Sequence, residues 1–166
     1  DLINKTNPGM LYLDVTRRPW WPVSEAGLGT GAQFYNKSRK ENKGKKEAVV
    51  FAKVLTDDQK ECLVWDVERG VPDKIQEKPW QTCTCVGHWH DHQPTYDQNG
   101  YKSAKTVIHM IIDIISKNGN MLLSVPMRGD GTIDDKEEAI LNEIAVGMDK
   151  NNEGIFDIRP WTGVGQ

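Results

Sequence analysis

Disulfide chemistry is the first thing this sequence does without. Its three cysteines, Cys62, Cys83 and Cys85, are an odd number in 166 residues, and two of them stand in a Cys-x-Cys step that rarely bridges to itself. That argues against a disulfide framework and for reduced, packed thiols. An excess of positive charge is missing too: 21 Lys and Arg against 24 Asp and Glu leave a formal charge of −3. Such a balance excludes a nucleic-acid binder built on an electropositive face, and the basic run from Lys37 to Lys46 reads as a solvated helix end and loop. No apolar stretch approaches the ~20 residues of a membrane span. There is neither an initiating Met nor a secretory signal. The chain starts at Asp1 and is expected to be a processed product or an excised piece, so the missing signal carries no information on compartment. The sequons Asn4-Lys5-Thr6 and Asn36-Lys37-Ser38 are too frequent by chance to establish secretion.

Tryptophan, by contrast, is plentiful: six residues against three phenylalanines. Surplus rings serve as core filler or as flat platforms for sugar faces. The length is that of a single domain. Pro8-Gly9 opens onto the short apolar run Met10-Leu11-Tyr12-Leu13, which ends abruptly at Asp14. Arg17 to Pro22, with Pro19, Trp20, Trp21 and Pro22, reads as an ordered loop. A helix follows from Ser24 or Gly27 through Phe34 and Tyr35 and gives way to the polar run Asn36–Lys46. Gly27-Leu28-Gly29-Thr30-Gly31 has the wrong glycine spacing and follows no strand, so it is not read as a dinucleotide fingerprint.

Ala48–Val54 is continuously apolar, as a strand buried on both faces is. Thr56–Gln59 reads as a turn or helix start, and Cys62–Gly70 as a strand finishing in acids and a glycine. Pro79–Gly87 is extended, and an irregular His- and Trp-rich loop runs on to Gly100. Ser103–Lys117 is the clearest helix, with Ala104, Val107, Ile108, Ile111, Ile112 and Ile115 at helical spacing and Met110 and Ile114 widening the stripe. His109 on this helix reads as an interior or boundary residue. Asn118-Gly119 is a stop signal, and Met121–Pro126 is the next strand, with Met121 in the core. Asp134 and Glu137 form a capping pair for a last helix to about Lys150 that buries Ile140, Leu141, Ile144, Ala145 and Met148. Apolar strands alternating with helices give an α/β fold with a parallel sheet. A compact doubly wound domain is one form of it. The long, functionally loaded connections suit the active-site loops of a barrel better.

Asp14, Asp66 and Glu68 are acids at the ends of two predicted strands. Paired carboxylates of this kind are what glycoside hydrolysis needs, one to attack or stabilise the anomeric carbon and one to protonate the leaving oxygen. The plainer readings are a loop or capping role for Asp14 and a surface ion pair of Glu68 with Arg69. Cys83, Cys85, His88, His90 and His92 are a dense set of metal-ligand types whose spacing matches no zinc signature; polar lining of a loop is the plainer reading.

Several segments in this order carry a resemblance. They are Pro8–Asp14, Val64-Trp65-Asp66-Val67-Glu68-Arg69-Gly70, Pro79-Trp80-Gln81-Thr82-Cys83-Thr84-Cys85, Gly87-His88-Trp89-His90 and Tyr101–Lys105. Ser116–Leu123, Pro126–Ile133 and Gly154–Trp161 complete the series. Together they resemble glycoside hydrolase family 29, the α-L-fucosidases. The resemblance implies a (β/α)8, TIM-like barrel running a retaining double displacement on terminal α-L-fucose, with no cofactor and no metal. It gives Asp14 the role of nucleophile and Glu68 that of general acid/base. Gln81, which stands where some relatives carry a glutamate, cannot titrate. Lys53 stands where an Arg is expected near the nucleophile, and Trp20, Asp66, Trp89 and His90 are expected substrate contacts. The expected partner is a fucosylated glycan, with no nucleic acid and no membrane span, and the expected location is secreted, periplasmic or lysosomal. An oligomer is compatible with the pattern.

Residues 1–166 are expected to be one partial catalytic domain, roughly the C-terminal half of the barrel. Neither a second domain nor the usual trailing β-sandwich is expected, and the N-terminal half becomes a required partner. Such a piece would be inactive alone and would expose two sheet edges. Two rival functions come from other classes: a non-enzymatic metal- or carbohydrate-binding module using the Cys83–His92 cluster, and a catalytically dead barrel that only binds sugar.

Overall fold

The structure, a computed structural model, describes residues 2–14 and 25–158. The Pro/Trp loop that contains Trp20, and the last residues of the Gly154–Trp161 segment, lie outside the described residues. The chain divides into two compact units, residues 1–67 and 68–166.

In the first unit, α1 (Leu2–Thr6), β1 (Met10–Leu13), α2 (Glu25–Glu41), β2 (Val49–Ala52) and α3 (Asp57–Lys60) lead into β3 (Val64–Glu68), whose last residue belongs to the second unit. β1 pairs with β2 and β2 with β3, both parallel. Strand β2 shows why its run is apolar throughout: Val50 and Ala52 are fully buried, while Val49 and Phe51 on the other face are half-buried. Val50 and Ala52 join Ile3, Phe34, Ala48 and Leu63 in one cluster.

The glycines of Gly27–Gly31 sit inside α2 and form no phosphate loop. This helix runs six residues past Tyr35, through what the sequence presents as a polar loop. Two contacts explain the extension. Lys37 pairs with Glu41 one turn on, an arrangement that supports exposed helix. Ser38 is buried, and its Oγ accepts the backbone N–H groups of Glu47 and Ala48 at 3.0 and 3.1 Å, tying the helix end to the start of β2. Thr56 caps α3 with a full capping box, as a Thr-x-x-Gln sequence allows.

The second unit contains β4 (Trp80–Cys85), α4 (Gln93–Asp97), α5 (Ala104–Ser116), β5 (Gly119–Ser124), α6 (Asp135–Lys150) and a 3-10 turn at Asn152–Gly154. β4 and β5 are parallel, in register from Trp80↔Gly119 to Cys85↔Ser124. All six residues of β4 are buried, so here it is β4, more than β2, that is covered on both faces. Strand alternation puts Trp80, Thr82 and Thr84 on one side and Gln81, Cys83 and Cys85 on the other. Gly119 is a strand residue and not the helix stop, because Asn118 takes the left-handed conformation in its place, at φ 68°. A Cβ at Gly119 would lie 2.5 Å from the Trp80 ring and 2.9 Å from Ile114 Cγ2. Glycine therefore lets the buried indole, which donates to Lys117 O at 2.8 Å, lie flat against the strand.

Ser103 caps α5 through its hydroxyl, but the buried stripe differs from the periodic one. Ile114 is fully buried and Ile112 is 49% exposed; His109 and Ala145 are exposed and Met121 is half-buried. With apolar residues on most of the α5 surface, the side that is covered is set by what packs on it.

Asp134 caps α6, accepting the Glu137 N–H at 2.7 Å. Its other oxygen accepts the Tyr101 hydroxyl at 2.7 Å. Burial, then that bond and the Asp134 charge, push the Tyr101 phenol upward. Glu137 is itself buried, at 3% exposure. Burial first, then the charges of Asp134 and Asp91, raise its carboxyl from 4.5 to about 7 against the opposing pull of Arg128. The folded state thus holds this proton more tightly than the unfolded chain, so the stabilisation is complete below the ordinary carboxylate range and is lost as pH rises toward 7. Glu137→Gln should be indistinguishable from the parent in urea unfolding at pH 4, and more stable by about 3 kcal/mol at pH 8. A gap that does not grow with pH would contradict this.

Parallel strands alternating with helices through both units are the repeat of a (β/α)8 barrel, and the chain carries part of one. Among the described residues, no helix is long and apolar enough to cross a membrane.

Candidate active site

In the first unit the register sets the geometry. Leu13 pairs with Ala52 across β1 and β2, so the next residues, Asp14 and Lys53, leave the two strands side by side. Lys53 Nζ lies 3.3 Å from Asp14 Oδ1, with the lysine side chain only 9% exposed and the aspartate side chain 61%. The arrangement is a carboxylate open to solvent, backed by a nearly buried ammonium. A surface ion pair has two mobile ends and contributes little; here the cation is anchored and the anion is presented. Asp66, on β3 of the same unit, is buried at 1% exposure.

In the second unit Glu68 closes β3, and Arg69 turns the chain at φ 51°. That region is costly for a residue with a Cβ and is held by its surroundings. The Arg69 N–H donates to Cys83 O at 3.1 Å. Its guanidinium donates to Cys85 Sγ at 3.6 Å and lies 4.5 Å from the Trp89 ring centre, a cation–π distance. The Arg69 head is thus turned to β4 and Trp89. Glu68 receives a hydrogen bond at Oε2 from the Cys83 thiol, at 3.6 Å. Behind these groups, Lys102 donates its backbone N–H to Val86 O and its ammonium to Cys85 O at 2.6 Å. Cys83 and Lys102 are neighbours of this corner that the sequence pattern does not single out. The alternation of β4 carried a signal for Cys83, since it shares a face with Cys85.

The His-rich segment does not make a metal centre with the cysteines. His88 and His92 stack at 4.3 Å, the His90 N–H donates to His88 Nδ1, and His92 Nδ1 meets Thr95 Oγ1 at 2.9 Å. His90 itself is exposed. Cys83 and Cys85 are buried on β4, engaged with Glu68 and Arg69. Among the described residues no group of three or more His, Cys, Asp or Glu side chains could hold a metal ion, which corrects the metal-module reading of the Cys83–His92 cluster. All three cysteines are free, and Cys62 is exposed where a packed thiol was expected.

Two cavities lie elsewhere. One of about 680 Å³ lies beside the start of β5 against Ile111, Ile115, Met148 and Phe156. Another, of about 410 Å³, lies at the entry to β1 near Asn7, Lys37 and Glu41. Neither includes Asp14 or Glu68.

Asp14 directly follows β1 and Glu68 ends β3, each at the strand end where a barrel carries its reacting groups. The sequence matches the profile of the family described as Alpha-L-fucosidase over residues 1–153, and the chain belongs to that family. A Caenorhabditis elegans protein, provisionally described as an alpha-L-fucosidase, is 32% identical over 91 residues, covering 54% of this chain and 19% of that protein. Among solved structures, alpha-L-fucosidase isoenzyme 1 from Paenibacillus thiaminolyticus superposes with a TM-score of 0.76 at 20% identity, over 98% of this chain and 41% of that one. A Thermotoga maritima alpha-fucosidase, solved with a mechanism-based inhibitor, gives 0.70 at 22% identity, over 97% of this chain and 34% of that one. At these identities the likeness speaks for the fold. The chain spans 34% to 41% of the length of these two solved relatives.

Proposed function

We propose that this chain carries the catalytic carboxylates of a retaining α-L-fucosidase acting on terminal fucose of glycans. The observation that carries the reading is the presentation of Asp14, which closes β1 in a family of fucosidases with the Lys53 ammonium 3.3 Å away. Asp14 attacks the anomeric carbon while Glu68, protonated, delivers its proton to the leaving oxygen, and a fucosyl ester of Asp14 results. Glu68, now ionised, takes a proton from water as that water attacks the anomeric carbon of the ester. Asp14 departs as a carboxylate, and the nearly buried charge of Lys53 stabilises the anion as it re-forms. Trp89, held under the Arg69 guanidinium, offers an aromatic wall for the sugar, with His90 beside it. A secreted, periplasmic or lysosomal setting fits this substrate.

The test is hydrolysis of an aryl α-L-fucoside by the complete natural protein, followed by NMR of the released sugar. Retention requires that α-L-fucose appear first and mutarotate later. Release of the β-anomer first, or no hydrolysis, would overturn the reading.

A further inference from the structure

We propose that Cys83 is a positioning residue for Glu68, acting through its thiol. The inference rests on the reading of Glu68 as general acid/base. Glu68 is an exposed strand-end side chain with three rotatable bonds, and such a group reaches a leaving oxygen reproducibly only when its orientation is held. Cys83 is the reverse. It is 3% exposed and lies in a strand buried along its whole length, in register with Leu122 of β5. It grips the end of β3 at two points: its Sγ–H donates to Glu68 Oε2 at 3.6 Å, and its carbonyl oxygen accepts the Arg69 N–H at 3.1 Å. The neighbouring Cys85 Sγ accepts from the Arg69 guanidinium, so the β4 thiols engage successive residues of the β3 corner.

A thiol is a weak donor, but its acceptor here is a carboxylate, and donation to the charged form favours ionisation. Removing the donor therefore has two consequences: Glu68 loses a contact that orients it, and it holds its proton to higher pH.

The test compares Cys83→Ala and Cys83→Ser in the complete natural protein, on an alkyl fucoside that needs protonation and an aryl fucoside with a good leaving group. For Cys83→Ala, kcat/KM on the alkyl substrate should fall about fivefold to tenfold, while the aryl substrate changes by less than about twofold. The alkaline limb of the pH profile should move upward. Cys83→Ser, which keeps a donor, should restore the limb toward its original position. In a Glu68→Ala background, Cys83→Ala should add nothing. Cys83→Val, close in volume and lacking a donor, replaces Cys83→Ala if the smaller side chain fails to fold. Equal losses on both substrates, an unmoved alkaline limb, or a loss that persists without Glu68 would overturn the role of Cys83 alone. If Glu68→Ala itself shows no dependence on the leaving group, it is the assignment of Glu68 that fails.

Discussion

Asp14→Asn should reduce turnover of an aryl α-L-fucoside by about a thousandfold or more, because the group that forms the covalent bond is gone while binding groups remain. The informative variant is Asp14→Gly. It leaves a small space 3.3 Å from the place where Lys53 holds its ammonium against the carboxylate. Azide, an anion of suitable size, should enter that space and attack the sugar from the side the carboxylate used. Activity should return with azide concentration, and the product should be the fucosyl azide of inverted configuration, identified by NMR. The anchored cation makes this variant favourable for rescue, since the charge that attracts the anion is fixed by the protein. Absence of rescue by azide or formate would count against Asp14 as nucleophile.

For Glu68→Ala, the loss should depend on the leaving group. General acid catalysis contributes about a hundredfold to ten-thousandfold. The full effect should appear with a natural glycoside, whose alkoxide cannot depart unprotonated. With a nitrophenyl fucoside, which departs as a stabilised phenolate, the first step should be nearly spared. The remaining deficit should lie in the second step, where water lacks its base, so a burst of nitrophenol should precede slow turnover. Steady-state rates on both substrates, with a pre-steady-state trace on the aryl one, separate these outcomes. Equal losses without a burst would argue against Glu68 as the acid.

Those assignments began as carboxylates at the ends of apolar runs, and the runs were legible because burial leaves a plain mark. β2 and β5 sit within a few residues of their apolar stretches. Ser103 and Asp134 cap the helices they precede, since a side-chain oxygen ahead of an apolar period has little else to do. The Asp14–Lys53 pair follows from strand register, which the sequence encodes only through which faces are buried. What was not legible depends on partners distant in sequence. Apart from the Lys37–Glu41 spacing, nothing local marks Asn36–Glu41 as helix; Ser38 becomes a helix residue because the β2 entry needs an acceptor. Nothing local tells Ile114 from Ile112 on α5. The Cys-x-Cys step followed by three histidines suggested shared ligands. The strand carries the thiols to one place and the loop stacks the imidazoles in another, a separation that spacing alone does not encode.

The corner at Asn118 also bears on how the molecule ages. Asparagine followed by glycine is the step at which a side-chain amide most readily cyclises and converts to isoaspartate. Cyclisation requires the side chain to swing over the next backbone nitrogen and expel its amide. Here that amide nitrogen donates to Gln76 O at 3.0 Å and Glu77 O at 3.3 Å, the backbone is set at φ 68°, and Gly119 is already a strand residue beneath the Trp80 indole. A side chain tied in this way is held out of the reactive arrangement. Isoaspartate at position 118 would therefore accumulate only in molecules whose β4–β5 corner has opened, and its level becomes a chemical record of how often that corner frays.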